Sequence, residues 1–240
     1  MNFITQKLKQ WIAESDNVVF FGGAGVSTES GLADFRGEDG IYSKKYEFPY
    51  PPEHMLSHSF FESNPEEFFD FYRKTMVAEN ARPNAAHLYL ARLEQEGKLK
   101  AIVTQNIDGL HQKAGSKRVY ELHGSVWRNY CMRCGKAHPL STVMATDGVP
   151  HCECGGIIKP DVVLYEEGLD QHVISGAVGA IRAADVLIVG GTSLSVYPAA
   201  GLINYYKGSK LVLMNQSPTP YDSSADLLIT EKIGEVFSEF

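Results

Sequence analysis

The hydrophobic residues fall into short unbroken runs separated by stretches of helical period. Runs at 18–21, 101–103, 119–122, 186–189, 211–214 and 227–229 are largely β-branched or apolar, Glu121 being the one charged residue among them. A strand solvated on one face alternates apolar and polar positions, so unbroken runs of this length predict strands covered on both faces. Helix-period patterns lie between many of them, at 65–79, 85–96, 173–183 and 198–206. At the start of the chain Phe3, Ile4, Leu8, Trp11 and Ile12 recur at helical spacing and predict an amphipathic opening helix. Alternation of strand and helix predicts an α/β fold built on a doubly wound parallel sheet of the Rossmann type.

Two stretches interrupt the alternation. One, from Gly37 to about Asn64, carries Pro49, Pro51 and Pro52 among many aromatics; the other, from Gly124 to about Ile158, holds all the cysteines. Each leaves the sheet and returns to it. The expected division is therefore a dinucleotide-type domain from 1–36, 81–123 and 159–240, with a small lobe from two insertions at 37–80 and 124–158.

Bulk properties narrow the partners. A chain of 240 residues suits one α/β domain with a modest insertion. The formal net charge of −7 argues against general nucleic-acid binding, which needs a surface that neutralises phosphates. It favours basic partners such as lysine-rich protein segments. The first residues lack the apolar core and cleavage site of a secretory signal, and no apolar run approaches the ~20 residues of a membrane span. The expectation is a cytoplasmic protein with no membrane or nucleic-acid partner and an oligomeric state left open, a monomer being compatible. The four clustered cysteines then favour a metal over disulfides.

Candidate chemistry sits where strands end. The first run opens into Gly22-Gly23-Ala24-Gly25-Val26-Ser27. Such a loop lets the backbone turn sharply and approach a ligand, and a following helix N-terminus would offer N–H groups to a pyrophosphate. An ordinary strand-to-helix turn explains the same glycines. A dehydrogenase fingerprint also places an acidic residue at the end of the second strand, ~20 residues on. Here Asp39 lies in a glycine-flanked loop with no strand before it. A similar unit comes later: the run at 186–189 leads into Gly190-Gly191-Thr192-Ser193, a helix, and a strand that ends at Asn215. Asn215 would hold a ribose hydroxyl where other folds use a carboxylate.

Further strand ends carry Gln105, Asn106, Ile107 and Asp108, then His123; the first loop continues into Asp34-Phe35-Arg36. In a parallel sheet these ends face one crevice, so the polar groups should converge. Each has an ordinary alternative: Asp108 as a helix N-cap, His123 as a core histidine, Arg36 as a surface charge. Their joint position beside a glycine loop favours a ligand site. Cys131-Met-Arg-Cys134 and Cys152-Glu-Cys154 suit a tetrahedral Zn²⁺ site. Four thiolates leave no open position for water, so the role would be structural. The second pair has a single intervening residue, which leaves His151 as an alternative ligand.

The motifs GAGVSTESGLADFRG, TQNIDGLHQKAG, ELHGS, the four cysteines, IKPDVVLYEE, GTSLSVYPAA and the Asn215 loop occur in the order seen in sirtuins. The chain resembles the compact bacterial members over residues 18 to 230, nearly its whole length. The resemblance implies an NAD-dependent protein-lysine deacylase that releases nicotinamide and O-acyl-ADP-ribose, with structural zinc. It implies that Gly22, Ala24, Gly25, Thr28, Asp34, Gln105, Asn106, Gly191, Thr192, Ser193 and Asn215 surround the dinucleotide, with Ile233 over the adenine. Phe35, Ile107 and Asp108 would line the nicotinamide pocket, Asp108 binding the carboxamide, and Arg36 would order the cofactor loop. His123 would be the general base, Asn106 a further catalytic residue, and Val162, Val163, Leu164 and Tyr165 a strand beside the substrate peptide. In that scheme the acyl oxygen attacks the anomeric carbon as nicotinamide leaves. His123 then takes a proton from a ribose hydroxyl, which attacks the acyl carbon.

Members that prefer succinyl or malonyl groups resemble one another in a Tyr-x-x-Arg pair on the helix after the proline-rich segment. Here Tyr72 is followed by Thr75, and Arg73 beside it faces elsewhere on a helix. The resemblance thus implies acetyl or other uncharged acyl groups, longer ones included. Mono-ADP-ribosylation of proteins would use the same pocket, an NAD-linked oxidoreductase would reduce its cofactor, and a non-catalytic zinc module would not need His123.

Overall fold

The apolar runs become strands, and the central ones, at 18–22 and 186–190, are sealed on both faces. The computed structural model describes residues 3–35, 40–42 and 48–240. Its strands are β1 (Val18–Gly22), β2 (Leu99–Thr104), β3 (Val119–Glu121), β4 (Gly124–Cys131), β5 (Ala137–His138), β6 (Ile158–Val162), β7 (Val186–Gly190), β8 (Leu211–Met214) and β9 (Leu227–Ile229). Among the described residues, β3-β2-β1-β7-β8-β9 form a six-stranded sheet in that order. Every pairing in it is parallel. The chain builds outward from β1 to β3 and then returns to place β7 on the other side of β1. Between β1 and β7 the order reverses, and in such sheets ligands bind outside the carboxyl ends of the strands at that reversal.

Alternate residues of each strand feed two cores. Val18, Phe20, Ile102, Ile188, Val212 and Met214 pack with Leu8, Ile12, Leu90 and Phe237 from the helices on one face. Val19, Phe21, Val103, Leu187, Val189 and Leu213 pack with Ala177, Ile181, Leu202 and Ile203 on the other. The predicted helices at 85–96 and 173–183 are Ala85–Gln95 and Gln171–Ala183. Asn84 caps the first by accepting from the N–H groups of Ala86 and His87, and Asp170 caps the second through His172 and Val173. The opening helix, Phe3–Glu14, buries Leu8 and Ile12 but leaves Phe3 78% exposed.

The sequence pattern overstated helix after β1 and after β7. The first loop holds only the 3₁₀ turns Ala24–Val26 and Thr28–Ser30, and the segment predicted at 198–206 is the 3₁₀ helix Ala199–Tyr205. The two glycine loops explain the first difference. They pack backbone on backbone: Gly23 and Gly25 donate to the carbonyls of Gly190 and Gly191 at 3.1 and 2.8 Å. A Cβ on Gly25 would stand 2.8 Å from the Cα of Gly191. These glycines serve the approach of one loop to the other, which pins the backbone before a helix can begin.

The two interruptions of the pattern fold against each other. The helices Pro52–Met55, His58–Ser63 and Pro65–Thr75 supply Met55, Phe61, Phe68, Phe69, Phe71 and Tyr72 to a third core. The antiparallel sheet β5-β4-β6 supplies Val126, Cys131, Ile158 and Val162. β6 carries this sheet through Val162, four residues beyond the expected boundary at 158. No helix among the described residues is long and apolar enough to cross a membrane.

Candidate active site

β1, β2 and β7 end side by side, and their last residues are tied into one polar assembly. The Gln105 N–H donates to the Gly22 carbonyl at 2.9 Å, and the Gln105 side chain donates to the Thr192 hydroxyl at 3.0 Å. Thr192 also accepts from the Leu194 N–H, and the Gly191 N–H reaches the Met214 carbonyl at 2.9 Å. Gly22, Gly25, Gln105, Gly191 and Thr192 are thus joined across the sheet's carboxyl edge. Ala24 is half-buried beside them, and Thr28 donates its hydroxyl to the Gly25 carbonyl at 3.0 Å.

His123 follows β3 and lies 2.9 Å, through Nδ1, from the Gln105 carbonyl oxygen. A carbonyl only accepts, so Nδ1 must carry the proton, leaving the lone pair of the neutral ring on Nε2. Burial pushes the His123 pKa down, with partial opposition from the Gln105 bond. The imidazole is therefore neutral at pH 7, held in the tautomer a general base needs, and attached to the residue that touches the Thr192 loop.

A second chain of bonds runs beneath the first loop. Ser27, only 2% exposed, accepts from the Asn106 side-chain amide at 3.1 Å and donates to Asp108 Oδ2 at 2.7 Å. Asp108 Oδ1 accepts from the Leu110 N–H at 2.8 Å, but the N-cap of the helix Leu110–Ala114 is Gly109, so the expected capping role does not fall to Asp108; its carboxylate ties the start of that helix to Ser27. Ile107 joins the third core from the same loop, as does the ring of Phe35. Phe35 packs edge-on against Tyr42 at 5.6 Å, and the main-chain carbonyl of Asp34 accepts from the Ile41 N–H at 2.7 Å. Arg36 and Asp39 lie outside the described residues.

Not every expected residue joins these contacts. Asn215 closes β8 with its N–H on the Ile229 carbonyl and its amide on the Ser217 carbonyl at 2.6 Å. Ser193 is exposed and bonded to Ser195. Ile233 is a core residue, 4% exposed, against which a Cβ on Gly190 would collide at 2.9 Å. In the segment expected to meet a peptide, the N–H groups of Val163, Leu164 and Tyr165 already donate to the His123 carbonyl, Glu167 and the Leu56 carbonyl. A peptide strand there would be met by carbonyl oxygens, each of which keeps a second lone pair; Val162 is buried in β6. Ser27 and Trp127 are contacts that sequence reasoning did not single out, because only the fold gives them partners.

The sulfurs of Cys131, Cys134, Cys152 and Cys154 all lie within 4.8 Å of one another. The Cys131–Cys154 and Cys134–Cys152 pairs are 3.4 and 3.8 Å apart. A tetrahedral Zn²⁺ with ~2.3 Å bonds separates its thiolates by about 3.8 Å, so the donor set fits. His151 is exposed and bonded to the Val149 carbonyl, outside the cluster, so the short second pair supplies both its thiols.

Comparison with known proteins agrees with this geometry. The model of the Sir2 family matches residues 23–198. An NAD-dependent protein deacetylase of Clostridium acetobutylicum is 63% identical over 232 residues, covering 96% of this chain and 95% of the relative. One from Clostridium perfringens is 60% identical, covering 97% and 96%. Among solved structures, a Sir2 protein with a deacetylated p53 peptide and 3′-O-acetyl-ADP-ribose is 39% identical, with a TM-score of 0.89 over 98% of this chain and 96% of that one. A Sir2 complex with p53 peptide and NAD⁺ is 39% identical with a TM-score of 0.86, covering all of this chain and 97% of that one. With a family model spanning most of its length and relatives identical at more than half of their positions, the chain belongs to the Sir2 family.

Proposed function

We propose that this chain removes acetyl groups from lysine side chains of proteins, using NAD as co-substrate. NAD, acetyl-lysine and water would give nicotinamide, free lysine and O-acetyl-ADP-ribose. The observation that carries the proposal is the bond from His123 Nδ1 to the Gln105 carbonyl, because Gln105 also holds the Thr192 loop. One residue thereby fixes a neutral base against the loops that suit a dinucleotide.

Ala24, Thr28, Gln105, Thr192, Ser193 and Asn215 would hold the dinucleotide, and Phe35, Ile107 and Asp108 the nicotinamide. NAD supplies the anomeric carbon and the ribose hydroxyls. His123 Nε2 would accept the proton of the hydroxyl that attacks the acyl carbon, and Asn106 would orient polar atoms nearby. Val163, Leu164 and Tyr165 would flank the peptide. The four cysteines would hold Zn²⁺ as a structural brace, and β4 links them directly to the His123 end of the crevice. The division into a dinucleotide-binding domain and a small lobe belongs to the same proposal, as does a cytoplasmic location.

Uncharged acyl groups would be preferred. Arg73 is committed to the carbonyls of Val143, at 2.9 Å, and Gly148. Thr75 is bonded to its own helix, and Tyr72 is fully buried. A succinyl carboxylate would lack a guanidinium partner there.

Incubation with NAD and an acetyl-lysine peptide should yield nicotinamide, deacetylated peptide and O-acetyl-ADP-ribose in equal amounts. Stable ADP-ribose label on protein in place of peptide deacetylation would instead mark a mono-ADP-ribosyltransferase. Unconsumed NAD would sink both readings.

A further inference from the structure

Asp108 is gripped at three points, and one of them comes from an unexpected residue. Its carboxylate oxygens accept from Leu110 and Ser27. Its main-chain carbonyl accepts from the indole N–H of Trp127 at 2.7 Å. Trp127 lies on β4, and the residue before it, Val126, donates its own N–H to the Ile107 carbonyl at 3.0 Å. Two successive residues of β4 therefore hold two successive carbonyls of the loop.

The contact is also built into the loop's backbone. Gly109 has φ +71°, and a Cβ there would stand 2.7 Å from Cδ1 and 2.8 Å from Nε1 of Trp127. Glycine is what allows the indole to press on this turn. Lys113, on the helix Leu110–Ala114 that follows, sets its ammonium 6.0 Å from the centre of the indole ring. An exposed aromatic with no task would not need a glycine beneath it or a carbonyl at its N–H. Trp127 is nonetheless 41% exposed, so it does not serve as a buried core residue.

We propose that Trp127 is a positioning residue for nicotinamide: its indole N–H holds the Asp108 carbonyl and so sets the carboxylate that faces the carboxamide. This rests on the reading of Asp108 as the carboxamide's partner. Trp127→Phe keeps a ring over Gly109 and removes only the N–H. Loss of one such bond should raise the inhibition constant of nicotinamide, and its half-saturation in exchange of labelled nicotinamide into NAD, by about 2- to 10-fold. The acetyl-peptide KM and the thermal midpoint should not move, which separates positioning from general support of the fold. Unchanged nicotinamide constants in Trp127→Phe overturn the inference.

Asp108→Asn locates the fault. If Asp108→Asn also leaves nicotinamide exchange intact, the underlying reading fails; if it suppresses exchange while Trp127→Phe does not, only the Trp127 inference fails. A second measurement does not require altering Trp127. The chain has two tryptophans, so Trp11→Phe leaves Trp127 as the sole one. Its emission should change on titration with nicotinamide in the presence of NAD, with the midpoint seen in inhibition. Emission indifferent to nicotinamide contradicts the proposal.

Discussion

Replacing Ser27 by alanine probes the buried junction of the site with one hydroxyl. That hydroxyl donates to Asp108 at 2.7 Å and accepts from Asn106 at 3.1 Å. Ser27 is 2% and Asn106 9% exposed, so water does not readily take over either bond. A hydrogen bond to a charged group is worth ~1.5–3 kcal/mol, and a buried amide N–H left without a partner costs ~1–3 kcal/mol. The two losses act on different observables. The first loosens the carboxylate proposed to hold nicotinamide and should lower kcat/KM for nicotinamide release by about 10- to 100-fold. The second strains the apo fold and should lower its melting point by about 2–10 °C, since 1 kcal/mol shifts a chain of this size by ~2–4 °C. Steady-state nicotinamide release and a thermal melt of the same preparation measure both. A Ser27→Ala protein with kcat/KM within twofold of the parent would refute the claim that this hydroxyl sets Asp108.

Four further outcomes follow from the same structure. Burial lowers the His123 pKa; with His123 as the proposed neutral base, kcat/KM should be flat from pH 8 down to about 6.5, the ordinary imidazole value, and fall only below it. An acid limb centred above that value would contradict the assignment. Folding should weaken over a similar range: burial pushes His87 down to about 4 and His111 well below the ordinary imidazole value, so the unfolded chain binds protons that the folded chain does not. Their contribution is complete above about pH 6.5 and is lost as pH falls through 4, which denaturant melts across that window would reveal. Cys131→Ala should lose bound zinc and melting temperature together, while unchanged stability on metal loss would deny the cluster its structural role. Acetyl-lysine peptide should be turned over well ahead of its succinyl counterpart, and equal rates would refute the argument from Arg73.

The legibility of this protein in its sequence followed burial. The central strands β1 and β7 are sealed on both faces, so they read as unbroken apolar runs. β4 did not, because its burial is mixed and its pairing with β6 shifts register between Ser125 and Asn129. The 3₁₀ turns at Ala24–Val26 and Thr28–Ser30 could not be anticipated either, since the contact that shapes them comes from Gly191, far along the chain. In the site, Gln105, Asp108 and His123 were visible as polar residues at strand ends. Ser27 and Trp127 were not, because a serine in a glycine loop and a tryptophan on a cysteine-bearing strand acquire meaning only from tertiary partners.

Whether His123 is the base is decided by replacing it with alanine and following NAD consumption and peptide deacetylation in one reaction. The expected result is a folded protein, unchanged in zinc content and melting point, that deacetylates about 10²- to 10⁴-fold more slowly, the usual contribution of a general base. Deacetylation at the parent rate by a folded His123→Ala protein would contradict it.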